Sequence, residues 1–314
     1  MSKKSAFAVN FEYASLRLGC AVANAIPYRI AMAIASASGW FIFNVLRVNH
    51  SRTMERLHFV FPERPRRELK RIAWKSFANI LQNGVEMMRA PKLDREWMDR
   101  HVVDGRLYKD RLQSYVDEGR GVVIMVPHSG NWYMAAWSMA KYGLPLCSIA
   151  AKQRNPKINA WMKSQYCDIE VFERGSARTL VDIKRRIQSG RAFAILPDLR
   201  AKEEDVEVDF FGARANVSHA GAMFAVKCGS PIVVAAMRRE KGKHVFEHIA
   251  TLRPDPEAKD AKAESARLTR EVMKLLDEKI RQYPEQWFWF NKRWILEPPS
   301  RRRSRAETPD GGQS

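Results

Sequence analysis

The spacing of hydrophobic positions changes character near residue 120. Upstream, residues 51–118 place Trp74, Phe77, Ile80, Leu81 and Val85 at helix-like intervals, and Pro62, Pro65 and Pro91 interrupt the pattern. This span predicts helices. From Gly121 onward, short apolar runs at 121–127, 144–150, 169–172, 191–197, 205–211, 231–237 and 244–252 alternate with helical patterns. The helical stretches are 131–142, 156–166, 176–189, 218–228 and 260–282. Such alternation predicts an α/β fold with a mostly parallel central sheet flanked by helices. Ser218 is the expected N-cap of the helix carrying Met223 and Phe224. Three segments follow: an apolar N-terminal stretch over 1–50, an α/β domain over 51–297 (helical over 51–118, sheet-forming over 119–297), and a basic, polar tail over 298–314 that predicts disorder.

Residues 16–48 are the most hydrophobic long stretch, and the seventeen residues from Ile30 to Leu46 carry no charge. That is the low end of the ~17–25 residues a bilayer-spanning helix needs. Gly39 and several Ala and Ser residues dilute the run, and Arg17, Arg29 and Arg47 punctuate it. Spanning, lying in the interface and forming a buried helix pair are all open at this point, with membrane contact favoured. A cleaved signal peptide fits poorly, because Glu12 and Arg17 precede any apolar core.

The charge adds a partner class. With 54 Lys and Arg against 35 Asp and Glu, the net charge is +19, which suits an anionic membrane surface, phosphate-bearing substrates, an acidic protein or nucleic acid. No helix-turn-helix, zinc-finger or RNA-binding aromatic signature accompanies it, so no specific nucleic acid is expected. Cys20, Cys147, Cys167 and Cys228 are widely spaced, which supports neither a zinc site nor a disulfide framework. The chain also lacks a Gly-x-Ser-x-Gly elbow, which weighs against a serine hydrolase.

The richest local signal is the apolar run Val122–Val126, closed by Pro127 and followed by His128, Ser129, Gly130, Asn131, Trp132 and Tyr133. A continuous run bounded by turn residues reads as a strand buried on both faces. His128 then falls at the carboxyl end of a strand and the start of a helix, the edge where open α/β sheets bind ligands. Imidazole is the side chain best suited to general base chemistry near neutral pH.

Five stretches in order give the chain a family resemblance. The His128 segment resembles the active-site motif of the bacterial lipid A biosynthesis acyltransferases, and the related phosphatidylinositol mannoside acyltransferases are similar too. Arg174-Gly175-Ser176-Ala177-Arg178 resembles the family's basic block, Leu196-Pro197-Asp198 its strand-end Pro-Asp, Asp209-Phe210-Phe211-Gly212 its Phe-Phe-Gly loop, and Pro284 to Trp289 with Arg293-Trp294 its terminal signature. Two departures stand out. The family motif places Asp or Glu five residues after the histidine, where this chain has Tyr133. The family's histidine before the terminal basic pair is replaced by Asn291.

The resemblance implies transfer of a fatty acyl group from a thioester, on acyl carrier protein or coenzyme A, to a hydroxyl of a glycolipid or lysolipid, with no further cofactor and no metal. It implies action at the cytoplasmic face of a bacterial inner membrane. His128 is then the base. The missing acid leaves three alternatives: an orienter from elsewhere, with Asp198 first and Glu86, Glu170 and Glu173 behind it; His128 working with Tyr133 alone; or an impaired relative that binds lipid without turnover. Arg174, Gly175, Arg178 and Arg200 are candidate phosphate contacts, because guanidinium forks pair bidentately with phosphate oxygens. Ser129, Gly130 and Asn131 are candidate backbone N–H donors for an oxyanion at a helix start. His219 and the Trp287-Phe288-Trp289 cluster read as structural.

Overall fold

The computed structural model describes residues 5–297 apart from Cys167 and Ser176. The tail from Pro298, Ser176 of the basic block and Cys167 therefore lie outside the described residues. Pro27 divides the apolar N-terminal stretch. α1 (Ala6–Ala25) stops before it and α2 (Tyr28–Asn44) starts after it. A proline at this position removes a hydrogen bond from a continuing helix but costs a new one nothing. No helix among the described residues is long and apolar enough to cross a membrane, so the spanning alternative is corrected. α2 instead lies against α4 (Arg66–Arg89). The approach is so close that a Cβ on Gly39 would meet the Ala78 backbone at 2.5 Å. Phe43 is fully buried, while Phe7, Phe11, Leu18, Ile34, Trp40 and Phe41 remain exposed.

α3 (His50–Val60), α5 (Arg95–His101) and α6 (Gly105–Asp117) complete the helical span. The two-residue strand β1 (Val102–Val103) interrupts it and is too short to show a period. On α4 the buried face differs from the expected stripe. Phe77 is buried, but Trp74, Ile80, Leu81 and Val85 are only half-buried. The inner face carries Ser76, Asn79, Asn83 and Glu86 instead. These recur at helical spacing; Asn79, Asn83 and Glu86 bond residues 130 and 131, and Ser76 donates to the Trp287 carbonyl, so polar residues are buried there with partners.

The sheet-forming half follows the expected alternation closely. β2 (Val122–Met125), α7 (Trp132–Lys141), β3 (Leu146–Ala150), α8 (Pro156–Gln165), β4 (Glu170–Glu173), α9 (Ala177–Gln188) and β5 (Ala192–Ile195) come in order. After β6 (Val206–Phe210) and β7 (Ala213–Val217) come α10 (Ala220–Cys228), β8 (Ile232–Glu240), β9 (Lys243–Leu252) and α11 (Ala261–Gln282). The seven-stranded sheet has the order β1-β9-β8-β2-β5-β3-β4. Every pair is parallel except the β8/β9 hairpin. All four residues of β2 are buried, and each such side chain contributes about 1.5–3 kcal/mol of burial.

Two expectations need correction. The 205–211 run is not part of the central sheet: β6 pairs only with β7, as a separate antiparallel hairpin. Its two-residue turn is Phe211-Gly212, both with positive φ, 55° and 80°, as a tight hairpin turn requires. Phe211 tolerates this because its N–H donates to Asp277 at 2.9 Å and its ring stacks on Trp289. Nor is Ser218 the N-cap of α10. His219 holds that position without a side-chain cap bond, and Ser218 accepts from the Ala220 N–H at 3.4 Å.

Candidate active site

β2 and β5 run parallel in register, with Met125 opposite Ile195. His128 and Asp198 each lie three residues beyond these partners, so equal offsets bring the two strand ends together. His128 Nδ1 lies 2.7 Å from Asp198 Oδ1, and the His128 backbone N–H donates to Oδ2 at 2.7 Å. The indole N–H of Trp287 donates to the same Oδ2 at 2.8 Å. Asp198 is completely buried, whereas the His128 side chain keeps 18% exposure. Burial pushes the Asp198 carboxyl up. The charge on the His128 ring and the hydrogen bonds from His128 and Trp287 outweigh it and hold the group below its ordinary value. Bonded through Nδ1, the ring presents Nε2 to the cavity beside it, which fixes the tautomer a base needs.

That cavity has a volume of about 740 Å³ and is predominantly apolar in its lining. His128 stands on its wall with Trp132, Tyr133 and Trp137 of α7, Met162 of α8, Tyr166 just after it, and Val171 of β4. No hydrogen bond joins Tyr133 to His128. The tyrosine ring stacks on Trp137 instead. The other acids weighed from sequence are engaged elsewhere. Glu170 pairs with Arg186 and Arg191, and Glu173 with Lys163.

Glu86 has a different role. It is fully buried and accepts both guanidinium nitrogens of Arg239 at 2.8 Å, His244 Nε2 at 2.8 Å, the Tyr28 hydroxyl at 2.6 Å and the Asn131 amide at 2.5 Å. Burial alone would raise its carboxyl, but Arg239 and His244 dominate and hold it well below the ordinary range. Asn131 in turn caps α7 by accepting from the Met134 N–H at 3.0 Å.

The 128–131 loop is therefore clamped from below. The Gly130 carbonyl accepts from Asn79 at 2.9 Å and Asn83 at 2.7 Å, and its N–H donates to the Gln286 carbonyl at 3.0 Å. This N–H is spent on structure, which corrects the expectation that it serves an oxyanion. Ser129 bridges to Trp287 in antiparallel fashion and is almost completely buried. Gly130 has φ +57°, and a Cβ there would lie 1.7 Å from the Met237 carbonyl oxygen. Gly130→Ala should accordingly cost about 2 kcal/mol or more, since it adds left-handed strain to a backbone clash. Chemical denaturation of the variant against the parent protein measures this, and an unchanged midpoint would contradict the geometry.

The basic residues sort themselves. Arg174 is exposed on the cavity rim, with Gly175 beside it. Arg293 lines the same cavity and donates to the Arg200 carbonyl. Burial lowers the Arg293 guanidinium, and the nearby charges of Arg174 and Arg200 lower it further. Arg200 itself lies beside Glu297 at 3.8 Å. Arg178 points away: its side chain is 90% exposed and sits 3.8 Å from Asp182. Asn291, in place of the family's histidine, accepts from the Arg293 N–H at 2.8 Å.

Sequence reasoning missed the contribution of Trp287. It is core, as expected, but its indole N–H also holds the Asp198 carboxylate. The Glu86 cluster was also missed; only the polar residues at helical spacing on α4 hinted at it.

A histidine paired with a buried carboxylate beside an apolar cavity suits acyl transfer, and the family match makes this protein an O-acyltransferase. Residues 5–295 match the bacterial lipid A biosynthesis acyltransferase family, to which the chain belongs. A phosphatidylinositol mannoside acyltransferase of Mycolicibacterium smegmatis is 25% identical over 271 residues, 79% of this chain and 84% of the relative. A lipid A biosynthesis acyltransferase of Haemophilus influenzae is 23% identical over 276 residues, 84% and 81% of the two chains. Lipid A biosynthesis acyltransferase 2 of Shigella flexneri is 26% identical over 262 residues, 81% and 80%.

Proposed function

We propose that the protein moves a fatty acyl group from an acyl thioester, on acyl carrier protein or coenzyme A, to a hydroxyl of a glycolipid or lysolipid. The observation that carries this reading is the His128–Asp198 pair opening onto the apolar cavity. His128 Nε2 takes the proton of the acceptor hydroxyl as its oxygen attacks the thioester carbon. Asp198 keeps the ring in one tautomer and supports the imidazolium that forms. The tetrahedral oxyanion lies at the first turn of α7, where backbone N–H groups and the helix dipole favour negative charge. Collapse expels the thiolate, and the imidazolium returns its proton to the sulfur. The apolar lining suits the acyl chain. The acceptor class rests on the names of the relatives, which act on phosphatidylinositol mannosides or in lipid A synthesis.

The exposed apolar side chains of α1 and α2 suit seating in the interface of a membrane, at the cytoplasmic face of the inner membrane, and the net charge of +19 favours anionic lipid. Incubating the protein with lauroyl, myristoyl and palmitoyl thioesters of each carrier and with glycolipid or lysolipid acceptors in mixed micelles tests the reading. Mass spectrometry should find a new acyl ester; none on any acceptor with either donor would overturn it.

The rim cations should act on binding. Arg174→Ala and Arg293→Ala are each expected to raise KM for the phosphate-bearing substrate roughly tenfold or more, the scale of a lost charge-assisted hydrogen bond. The turnover number should change much less. A fall in kcat at constant KM would place these residues in the chemical step instead.

A further inference from the structure

One helix face supplies much of the cavity wall. Trp132, Tyr133, Ala136 and Trp137 all line it from α7, at the spacing of one side of a helix. Their rings form a series that starts at the base: His128 to Trp132 is 5.1 Å between centroids, Trp132 to Tyr133 is 5.3 Å, and Tyr133 to Trp137 is 5.7 Å. Trp137 is 2% exposed, and its indole N–H is tied to the Gln165 carbonyl at 3.0 Å. Tyr133 thus stands between His128 and the buried Trp137, with Met162 of α8 and Tyr166 just beyond it on the same cavity. Burial raises its phenol, so it is neutral. An aromatic face suits packed methylenes, which an ionised carboxylate here would not. The residue is also mechanically separate from the base, because Asn131 caps α7 and Asp198 orients His128 without it.

We propose that Tyr133 sets the acyl-chain length the enzyme accepts, its ring occupying space that a longer chain would fill. This rests on the reading that the cavity receives the acyl group. The test compares Tyr133→Ala, Tyr133→Leu and Tyr133→Phe with the parent protein, using lauroyl and palmitoyl thioesters in competition. Removing the ring should shift the palmitoyl-to-lauroyl ratio of kcat/KM upward by roughly tenfold or more, since each methylene fitted into an apolar pocket is worth about 10–200-fold. The Phe variant keeps the ring and should leave the ratio within about twofold, because only a hydroxyl is lost. Calorimetric binding of the two non-reactive acyl thioethers reads the same ratio without turnover, and the Leu variant covers a failure of the Ala variant to fold. A shifted binding ratio with no transfer to any acceptor would uphold the length role and overturn the transferase reading. Active Ala and Leu variants with the parent ratio would overturn the length role alone. Folded variants that bind both thioethers normally but transfer neither would also overturn it, by placing Tyr133 with the proton-transfer groups.

Discussion

His128→Ala should abolish acyl transfer while leaving the fold intact. A positioned general base contributes about 10²–10⁴ in rate, and no second histidine stands on the cavity wall beside it. Asp198→Asn should come close to the same loss. The amide cannot support an imidazolium, and in a serine protease the equivalent exchange lowers kcat by about 10⁴ through the wrong tautomer. The two variants should not be additive, because they disable one unit. Asp198→Asn also separates chemistry from folding. It keeps the size of a side chain that is completely buried against His128 and Trp287. Steady-state kinetics alongside thermal melting decides the matter: normal turnover by folded His128→Ala protein would discard the base assignment.

The second large effect falls on stability. Glu86→Ala should destabilise the fold by about 3–5 kcal/mol, the usual result of removing one member of a buried ion pair. It would strand the Arg239 guanidinium, the Tyr28 hydroxyl and the Asn131 amide together. Glu86→Gln should cost less, because it keeps several hydrogen bonds while losing the charge. The cluster also predicts a pH dependence. The carboxyls of Glu86 and Asp198 are both held below their ordinary values of 4.5 and 3.8. Their stabilisation is therefore complete above those values and is lost as pH falls below them, when the folded state must take up protons it resists. Urea unfolding of Glu86→Gln and the parent between pH 7 and pH 3 should show the variant with the shallower acid loss. Parallel curves would remove Glu86 from the account.

The parts of this architecture that sequence reveals are those written locally. β2 and β5 are legible because a strand buried on both faces needs an unbroken apolar run. His128 and Asp198 are legible because each follows such a run at once. Their pairing needs only that parallel neighbours end on the same edge. The β6/β7 hairpin is misread because its alternation of Val206, Val208 and Phe210 with charged residues marks a strand without saying which sheet it joins. The Lys241-Gly242 turn, with φ of 46° and 78°, is a genuine hairpin signal between the last two strand runs that went unused. The Glu86 cluster has no local signature. Its members come from residues 28, 86, 131, 239 and 244, and contacts over such separations leave no period in a single sequence. The expected stripe on α4 fails for the same reason: what lies beneath it is a polar loop supplied by a distant part of the chain.

The clamp on residues 128–131 and the ring series of α7 are adjacent in the chain, yet they differ in what surrounds them. At Gly130 any side chain collides with main chain, whereas the Tyr133 side chain lines the cavity and touches the rings of Trp132 and Trp137. If Tyr133 sets chain length as proposed, single substitutions along this helix face would change the accepted acyl group while leaving the His128–Asp198 pair in place. Variation one helical turn earlier, at Gly130, would instead strike the backbone that holds the loop.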